Sequence, residues 1–425
     1  MVINRDYTRL WAGQAVSLVG DHVFDTTVVL WVGTVLFAGD RLAPVAVAAV
    51  LATVAAVTFL VGPVAGVFVD RWDRRRTMLV TDTVRGLLVG GLALLAFLPV
   101  ERVPRGLLLG ALLALVALVT AGAQFFNPAR FAYLGDVVPE AGDRARAAAV
   151  GQATLGCAAL VGPPLAAPLL FTVGPGWALV LDALTFAVSA LAIGRVRVPS
   201  ALPAGGEAPG FRREFGAGLR FFRATPVLRA ALVSVLLVTV GSGTLGALGV
   251  FFVPENLGAP ASWYGVLGMS LSVGTLAGAL WAGRLCARFG PHRVFAGGLV
   301  LAGAAVVVYS RASSLPVAAA VLVLAGAPLG ALNTAFGPIV LDAAPSAYLG
   351  RVMAVFTPLQ RLAELVGVTA SGFLAGTVMA GFHRQVLGVR FGRIDTLYLA
   401  AGLLVLAGGL YALRALSRGG RETAV

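Results

Sequence analysis

Twelve apolar runs dominate the chain, joined by connections of 4 to 20 residues apart from one of 32. A hydrocarbon layer of roughly 30 Å needs about 20 consecutive apolar residues to cross it as a helix. Within lipid each backbone N–H and C=O must find its partner inside the same segment, so runs of this length must be helical. The runs fall at 10–37, 44–66, 77–99, 104–126, 147–171, 176–194, 227–252, 263–283, 294–310, 315–338, 352–380 and 395–414. They leave room for loops within 425 residues but not for a large soluble domain. Composition excludes the soluble alternative, because only 12% of residues are charged and mean hydropathy is +0.91. A water-soluble surface of this extent would require far more charge. The segment Met1 to Leu10 runs directly into the first apolar run without a cleavage site, so that run is expected to be retained.

The net charge of +13 would point to nucleic acid in a soluble protein, but here the cations flank the apolar runs. All of them are Arg. With the N-terminus inside, and with Arg105, Arg229 and Arg414 at span ends counted with the segments they flank, the cytoplasmic segments hold 23 arginines and the external loops 7, while Arg85 and Arg361 lie well within spans. That bias places both termini in the cytoplasm, and an even number of spans agrees in putting them on one side. Cys157 and Cys286 lie at or within apolar runs and are expected to act as small packing residues.

One connection is long. The stretch Pro199–Gly210 is rich in Pro, Gly and Ala, and the following 211–223 interleaves aromatic and Arg residues at helical spacing. This reads as a flexible linker followed by an amphipathic helix on the membrane surface. The expected organisation is a six-helix bundle over 1–195, a cytoplasmic linker over 196–226 and a second six-helix bundle over 227–425.

The halves resemble one another. Asn127, Asp136 and Pro139 match Asn333, Asp342 and Pro345 at an offset of 206. Gly66, Arg71 and Arg76 match Gly283, Arg288 and Arg293 at an offset of 217. Two matches in the same order, in corresponding loops, indicate duplicated halves related by a pseudo-two-fold axis along the membrane normal.

The loop between the second and third runs carries Gly66, Asp70, Arg71, Arg74 and Arg75. This spacing resembles the signature loop of the major facilitator superfamily, G-x-x-x-D-R-x-G-R-R, departing from it where Asp73 replaces the second glycine. The second copy keeps Gly283, Arg288 and Gly290 but has Ala287 in place of the acid. Within the superfamily, Asn4 to Tyr7, Gly13, Gln14, Ser17, Gly20 and Asp21 look like the macrolide-efflux and enterobactin-exporter branch of the drug:proton antiporters. Leu181 to Phe186 and Gly350 to Val352 look like the same branch, and the resemblance covers nearly the whole chain. It implies the major facilitator fold, with two pseudo-symmetric six-helix bundles, and export by rocking of the halves. Substrate would bind between the first, fourth, seventh and tenth spans. The resemblance also implies a gate, in which Asp70 sits against the N-terminus of the eleventh span near Gly350 and Arg351, with Arg71, Arg74 and Arg75 in the charge network. Gly162, Pro163 and Pro164 resemble the antiporter motif G-P-x-x-G-G, with Ala166 and Ala167 for its trailing glycines.

Ionisable groups within spans carry a heavy solvation penalty, so each is a functional candidate. Gln14, Ser17, Asp21 and Asp25 fall at i, i+3, i+7 and i+11, one polar stripe on an apolar helix. Asp21 and Asp25 are like charges one turn apart, an arrangement that disfavours ionising both and suits proton binding. Glu364, with Gln360 and Arg361 beside it, is the corresponding candidate of the second half. Asp82 and Arg85 are expected to satisfy each other as an i,i+3 pair. Asp182 reads as a capping or packing acid near the external face, and His22 points away from the stripe.

No Gly-rich phosphate loop followed by Lys is present, and no His or Cys spacing suits a metal. No cofactor and no enzymatic constellation is expected. The expected protein is a monomeric, proton-driven exporter of amphipathic or cationic compounds in the cytoplasmic membrane. Its partners are protons, a small-molecule substrate and the lipid bilayer, without nucleic acid. Two alternatives stay open: a dedicated exporter of one metabolite, siderophore or lysophospholipid, and a non-transporting sensor or scaffold.

Overall fold

The computed structural model of the chain describes residues 3–98, 103–199, 211–344, 346–386 and 389–422. Twelve of its helices are long and apolar enough to cross a membrane. In the first half these are α1 (Arg5–Trp31), α2 (Ala43–Val69), α3 (Arg74–Phe97), α4 (Arg105–Val137), α5 (Ala141–Pro168) and α6 (Pro175–Gly194). Helix α7 (Phe211–Ala224) is short and follows the long connection. The second half holds α8 (Pro226–Asn256), α9 (Tyr264–Phe289), α10 (Pro291–Tyr309), α11 (Leu315–Ala343), α12 (Ser346–Phe373) and α13 (Arg393–Glu422). A hairpin of β1 (Arg384–Val386) and β2 (Val389–Phe391) joins the last two, with Gln385 opposite Arg390. The Pro-rich stretch 200–210 lies outside the described residues.

Contacts divide the chain into two compact units, Met1–Ala38 with Thr53–Ala208 and Gly39–Ala52 with Pro209–Val425. The first turns of α2 thus belong with the second unit, where Gly372 lies against Ala48 and Gly376 against Val45. The internal duplication has a backbone counterpart: α5 continues as a π-helical turn over Leu169–Val173 and α12 over Leu374–Val378, an offset of 205. A third π turn closes α1 over Val32–Leu36, and among the described residues α8 ends without one, so this feature follows the repeat only on α5 and α12.

The fourth span is longer than hydropathy suggests. It was expected to end at 126, where Asn127 and Pro128 interrupt the apolar run, yet α4 continues to Val137. Polar groups on the added turns find partners inside the protein. The Tyr133 hydroxyl donates to the Val198 carbonyl at 2.7 Å, and one Arg74 nitrogen contacts both Asp136 oxygens at 2.9 and 3.0 Å. Pro128 gives up only its own N–H, which a helix neighboured by other helices tolerates.

In the second unit α9 and α11 press backbone against backbone. A Cβ added at Gly274 or Gly278 would strike the Val323 or Ala327 carbonyl, and one at Gly330 the Thr275 carbonyl. Two glycines four apart on each helix make this approach possible where lipid offers no hydrophobic drive. Helix α7 also docks on protein: Gly218 lies against the Arg351 carbonyl, Phe222 is buried, and Phe221 stacks on Tyr348 at 4.9 Å. Its Arg220 and Arg223 remain exposed.

Candidate functional site

The interior of the first unit holds a cluster of charges contributed by four helices. Helix α1 meets α6 at Gly13 and Gly20, whose missing side chains admit Ser189 with Ala192, and Asp182 with Thr185. That close approach sets Asp182 beside the polar stripe of α1. Across from it Arg85 of α3 donates to Asp21 at 2.9 Å, and its guanidinium lies 4.4 Å from the Phe186 ring centre. Gly122 of α4 leaves room for the Arg85 stem, since a Cβ there would come within 2.8 Å of Cγ. Asp25 is exposed, one turn beyond Asp21, within electrostatic reach of Asp21 and Arg85. Arg130 of α4 acts on Asp21 and Asp82 from the other side.

The expected pairing of Asp82 with Arg85 is therefore corrected. Arg85 reaches across to α1, and Asp82, fully buried, keeps both carboxylate oxygens without a hydrogen-bond partner among the described residues. Side chains three apart on a helix can meet, but a charge on the neighbouring helix competes for the same guanidinium. Asp182 is likewise corrected, because it lies 2% exposed in the middle of α6 and belongs to the cluster. Its Oδ1 takes a 3.2 Å hydrogen bond from Thr185. Arg130, counted as a loop residue by hydropathy, is helical and faces inward. The signal that could have found Asp182 is the default status of any ionisable group in a span. Arg130 required the true end of α4.

Asp21, Asp25, Asp82 and Asp182 thus share the space with Arg85 and Arg130, two more carboxylates than guanidiniums. Asp25 stands at the exposed edge of this group, and among the buried members a carboxylate without a guanidinium is costly unless it takes up a proton or a bound cation. On the same stripe of α1, Gln14 has a buried amide nitrogen without a hydrogen-bond partner among the described residues, and Ser17 is buried.

In the second unit a cavity of about 630 Å³ is lined by residues of α8 to α12 together with Leu51 of α2. Gln360, Arg361 and Glu364 stand on its wall, and Arg361 bonds Glu364 at 2.7 Å. Thr239, Ser242, Thr275 and Asn333 add polar atoms to an otherwise apolar lining.

The loop between α2 and α3 is built from internal contacts. Asp73 caps α3, accepting from the Arg76 N–H at 2.6 Å, which explains its presence where the superfamily motif has glycine. Arg75 donates to the Ile193 and Gly194 carbonyls at the end of α6, at 3.3 and 2.7 Å. Arg74 is tied to Asp136, so both arginines are anchored within the first unit. Asp70 and Arg71 are exposed at the turn, with Gly66 accepting from the Asp70 N–H. Gly350 is exposed, and Arg351 lies over Tyr348 at 4.8 Å. Gly162 lets α5 approach His22 and the Val19 carbonyl of α1, while Pro163 and Pro164 are accommodated within α5. Among the described residues no group of three His, Cys, Asp or Glu side chains could hold a metal ion.

A family model for the Major Facilitator Superfamily matches residues 10–368. The chain is 29% identical over 363 residues to the multidrug efflux pump Tap of Mycobacterium tuberculosis, covering 83% of this chain and 80% of that protein. It is 26% identical over 339 residues to the pump of the same name from Mycolicibacterium fortuitum, covering 77% and 79%. Among solved structures, a mutant of the nucleoside transporter NupG superposes with a TM-score of 0.76 at 11% identity, over 97% of this chain and all of that one. A bacterial homologue of the iron transporter ferroportin gives 0.75 at 14%, over 97% and 98%. At such identities the structures speak to fold alone.

Proposed function

This chain belongs to the major facilitator superfamily, and from that premise we propose that it is a proton-coupled exporter of amphipathic or cationic small molecules. It is a secondary transporter of twelve spans and not an enzyme. The observation that carries export is the likeness to two pumps named for multidrug efflux, each spanning more than three quarters of both chains. Proton coupling draws its support from the surplus of carboxylates around Asp21 and Arg85. Every added proton or cation lowers the electrostatic cost of that cluster, so proton binding and cation binding compete there. Competition between two ligands for one charge is the minimal requirement of antiport, and the direction follows from the states each ligand favours. In the second unit Glu364 and Arg361 hold a charge pair at a cavity large enough for a drug-sized molecule. We assign Asp21, Asp25 and Gln14, with Gln360, Arg361 and Glu364, to proton and substrate binding. Gly66, Asp70, Arg71, Arg74, Arg75, Gly350 and Arg351 are assigned to gating, in a monomer of the bacterial cell membrane working by alternating access.

The test uses everted vesicles energised to an acidic interior and a panel of cationic dyes and antibiotics. Substrate-dependent proton efflux is expected from wild type, with loss of at least tenfold in Asp25→Asn or Glu364→Gln. If only one compound of a wide panel moves protons, the reading becomes that of a dedicated exporter. If none does in a correctly inserted protein, proton-coupled efflux is wrong.

A further inference from the structure

Asp82 presents a problem that the coupling scheme above leaves unsolved. It is 0% exposed, and neither carboxylate oxygen has a hydrogen-bond partner among the described residues. Ser189 faces it from α6 at the edge of hydrogen-bonding geometry, a neutral donor that softens its charge only in part. The charges in reach are Arg85 on its own helix, Asp21 on α1 and Arg130 on α4, while Asp25 and Asp182 act on the same Arg85 and Asp21. An ionised carboxylate left bare in such a place is strongly disfavoured. One turn away Arg85 spends one nitrogen on Asp21, while its Nε is buried without a partner among the described residues. A donor and an acceptor, both unsatisfied, therefore lie three residues apart on one helix.

We propose that Asp82 is a proton-binding site and that Arg85 serves two carboxylates in turn, Asp21 in this arrangement and Asp82 in another. In the first arrangement Asp21 is ionised against Arg85 and Asp82 holds the proton. In the second the proton has passed from Asp82 to Asp21, and the guanidinium has moved the opposite way. The net charge of the three groups is the same before and after, so no bare charge is left in the interior. The exchange carries a proton from a group with no access to solvent to one whose side chain is 33% exposed, where water or Asp25 can take it. Phe186 gives the guanidinium an aromatic face to slide on, and Gly122 leaves space for its stem. Asp182 also keeps one buried oxygen without a partner among the described residues, but its other oxygen takes a 3.2 Å hydrogen bond from Thr185 and α6 carries no guanidinium of its own to exchange.

The meaning of this exchange for export rests on the proton-coupled reading, but the position of the proton does not. The test is therefore independent of transport. Infrared difference spectra of the purified, folded protein at neutral pH report the carbonyl stretch of protonated carboxylic acids. Wild type is expected to lose one acid equivalent on Asp82→Asn. Asp21→Asn, which removes the competing carboxylate, should release Arg85 to Asp82 and abolish the same band, whereas Asp25→Asn should keep it. A band that survives Asp21→Asn, or a wild type that loses nothing on Asp82→Asn, overturns the proposal. Should Asp82→Asn fail to fold, Asp82→Leu provides the same subtraction with a residue that a buried helix face accepts. If the band behaves as expected but no compound moves protons, the export reading fails while the proton site stands.

Discussion

At the offset of 217 that relates the two signature loops, Asp82 and Arg85 of α3 correspond to Leu299 and Ala302 of α10. All four are buried, at 0%, 6%, 0% and 1% exposure. The same place in the same architecture is thus filled by charge in one unit and by hydrocarbon in the other. Around Leu299 the second unit packs Phe295, Ala296, Leu332 and Ile339, and at its far end Phe252, Tyr309 and Tyr398 stack within 4.8 to 5.7 Å. Three of its ion pairs sit at a cavity wall, Arg361 with Glu364, or at the helix ends, Arg311 with Asp395 and Arg393 with Glu255. The fold therefore does not require charge at this position. Buried ion pairs seldom gain over well-packed apolar residues, so their retention in the first unit points to use rather than to stability.

The units differ a second time where α9 crosses α11. Gly274 and Gly278 correspond to Val57 and Val61 of the first unit at the offset of 217, and Gly326 and Gly330 to Thr120 and Gln124 at the offset of 206. Side chains at these positions forbid the backbone contact made in the second unit, and Gln124 instead reaches Thr58 at 3.4 Å. A third difference lies at the start of α3 and α10. Asp73 caps the former through its side chain, whereas the matching Gly290 precedes the latter at φ +81°, a conformation that favours glycine.

These contrasts can be broken experimentally. Arg85→Ala should have the largest effect, since it strands Asp21 among other acids; a loss of about 3–5 kcal/mol is expected in chemical unfolding of the purified protein. Gly278→Ala, which drives a methyl into the Ala327 carbonyl, should cost about 1–3 kcal/mol, while Val61→Ala at the matching position should cost less. Asp73→Ala should lose about 1 kcal/mol of cap stability, measured the same way. Asp82→Leu imports the residue of the second unit; we expect stability within about 1 kcal/mol of wild type or slightly above it, read by thermal unfolding, with proton movement abolished. The smallest effect belongs to Arg146→Ala, which removes an exposed pair with Asp143 at 3.2 Å and should cost about 0.2–1 kcal/mol.

Much of the molecule follows from residue order alone. The twelve spans, the orientation bias of the arginines and the duplicated loops are local or periodic properties, and each is carried by composition within about 20 residues. The stripe Gln14, Ser17, Asp21, Asp25 was visible for the same reason, since helical spacing places its members on one face without reference to any neighbour. The motif residues Asn4 and Tyr7 were also visible, but not their purpose. Asn4 caps α1 and donates to the Val137 carbonyl at 2.8 Å, and Tyr7 donates to the Ala147 carbonyl at 3.2 Å. What residue order could not decide was which helix each face meets. Two glycines on α1 bring Asp182 to Asp21, a hidden extension of α4 brings Arg130 inward, and Arg85 turns to α1 instead of to Asp82 on its own helix. Charge pairing depends on distances between segments far apart in the chain, and a guanidinium three residues from one carboxylate bonds whichever acid the packing of the helices brings nearer.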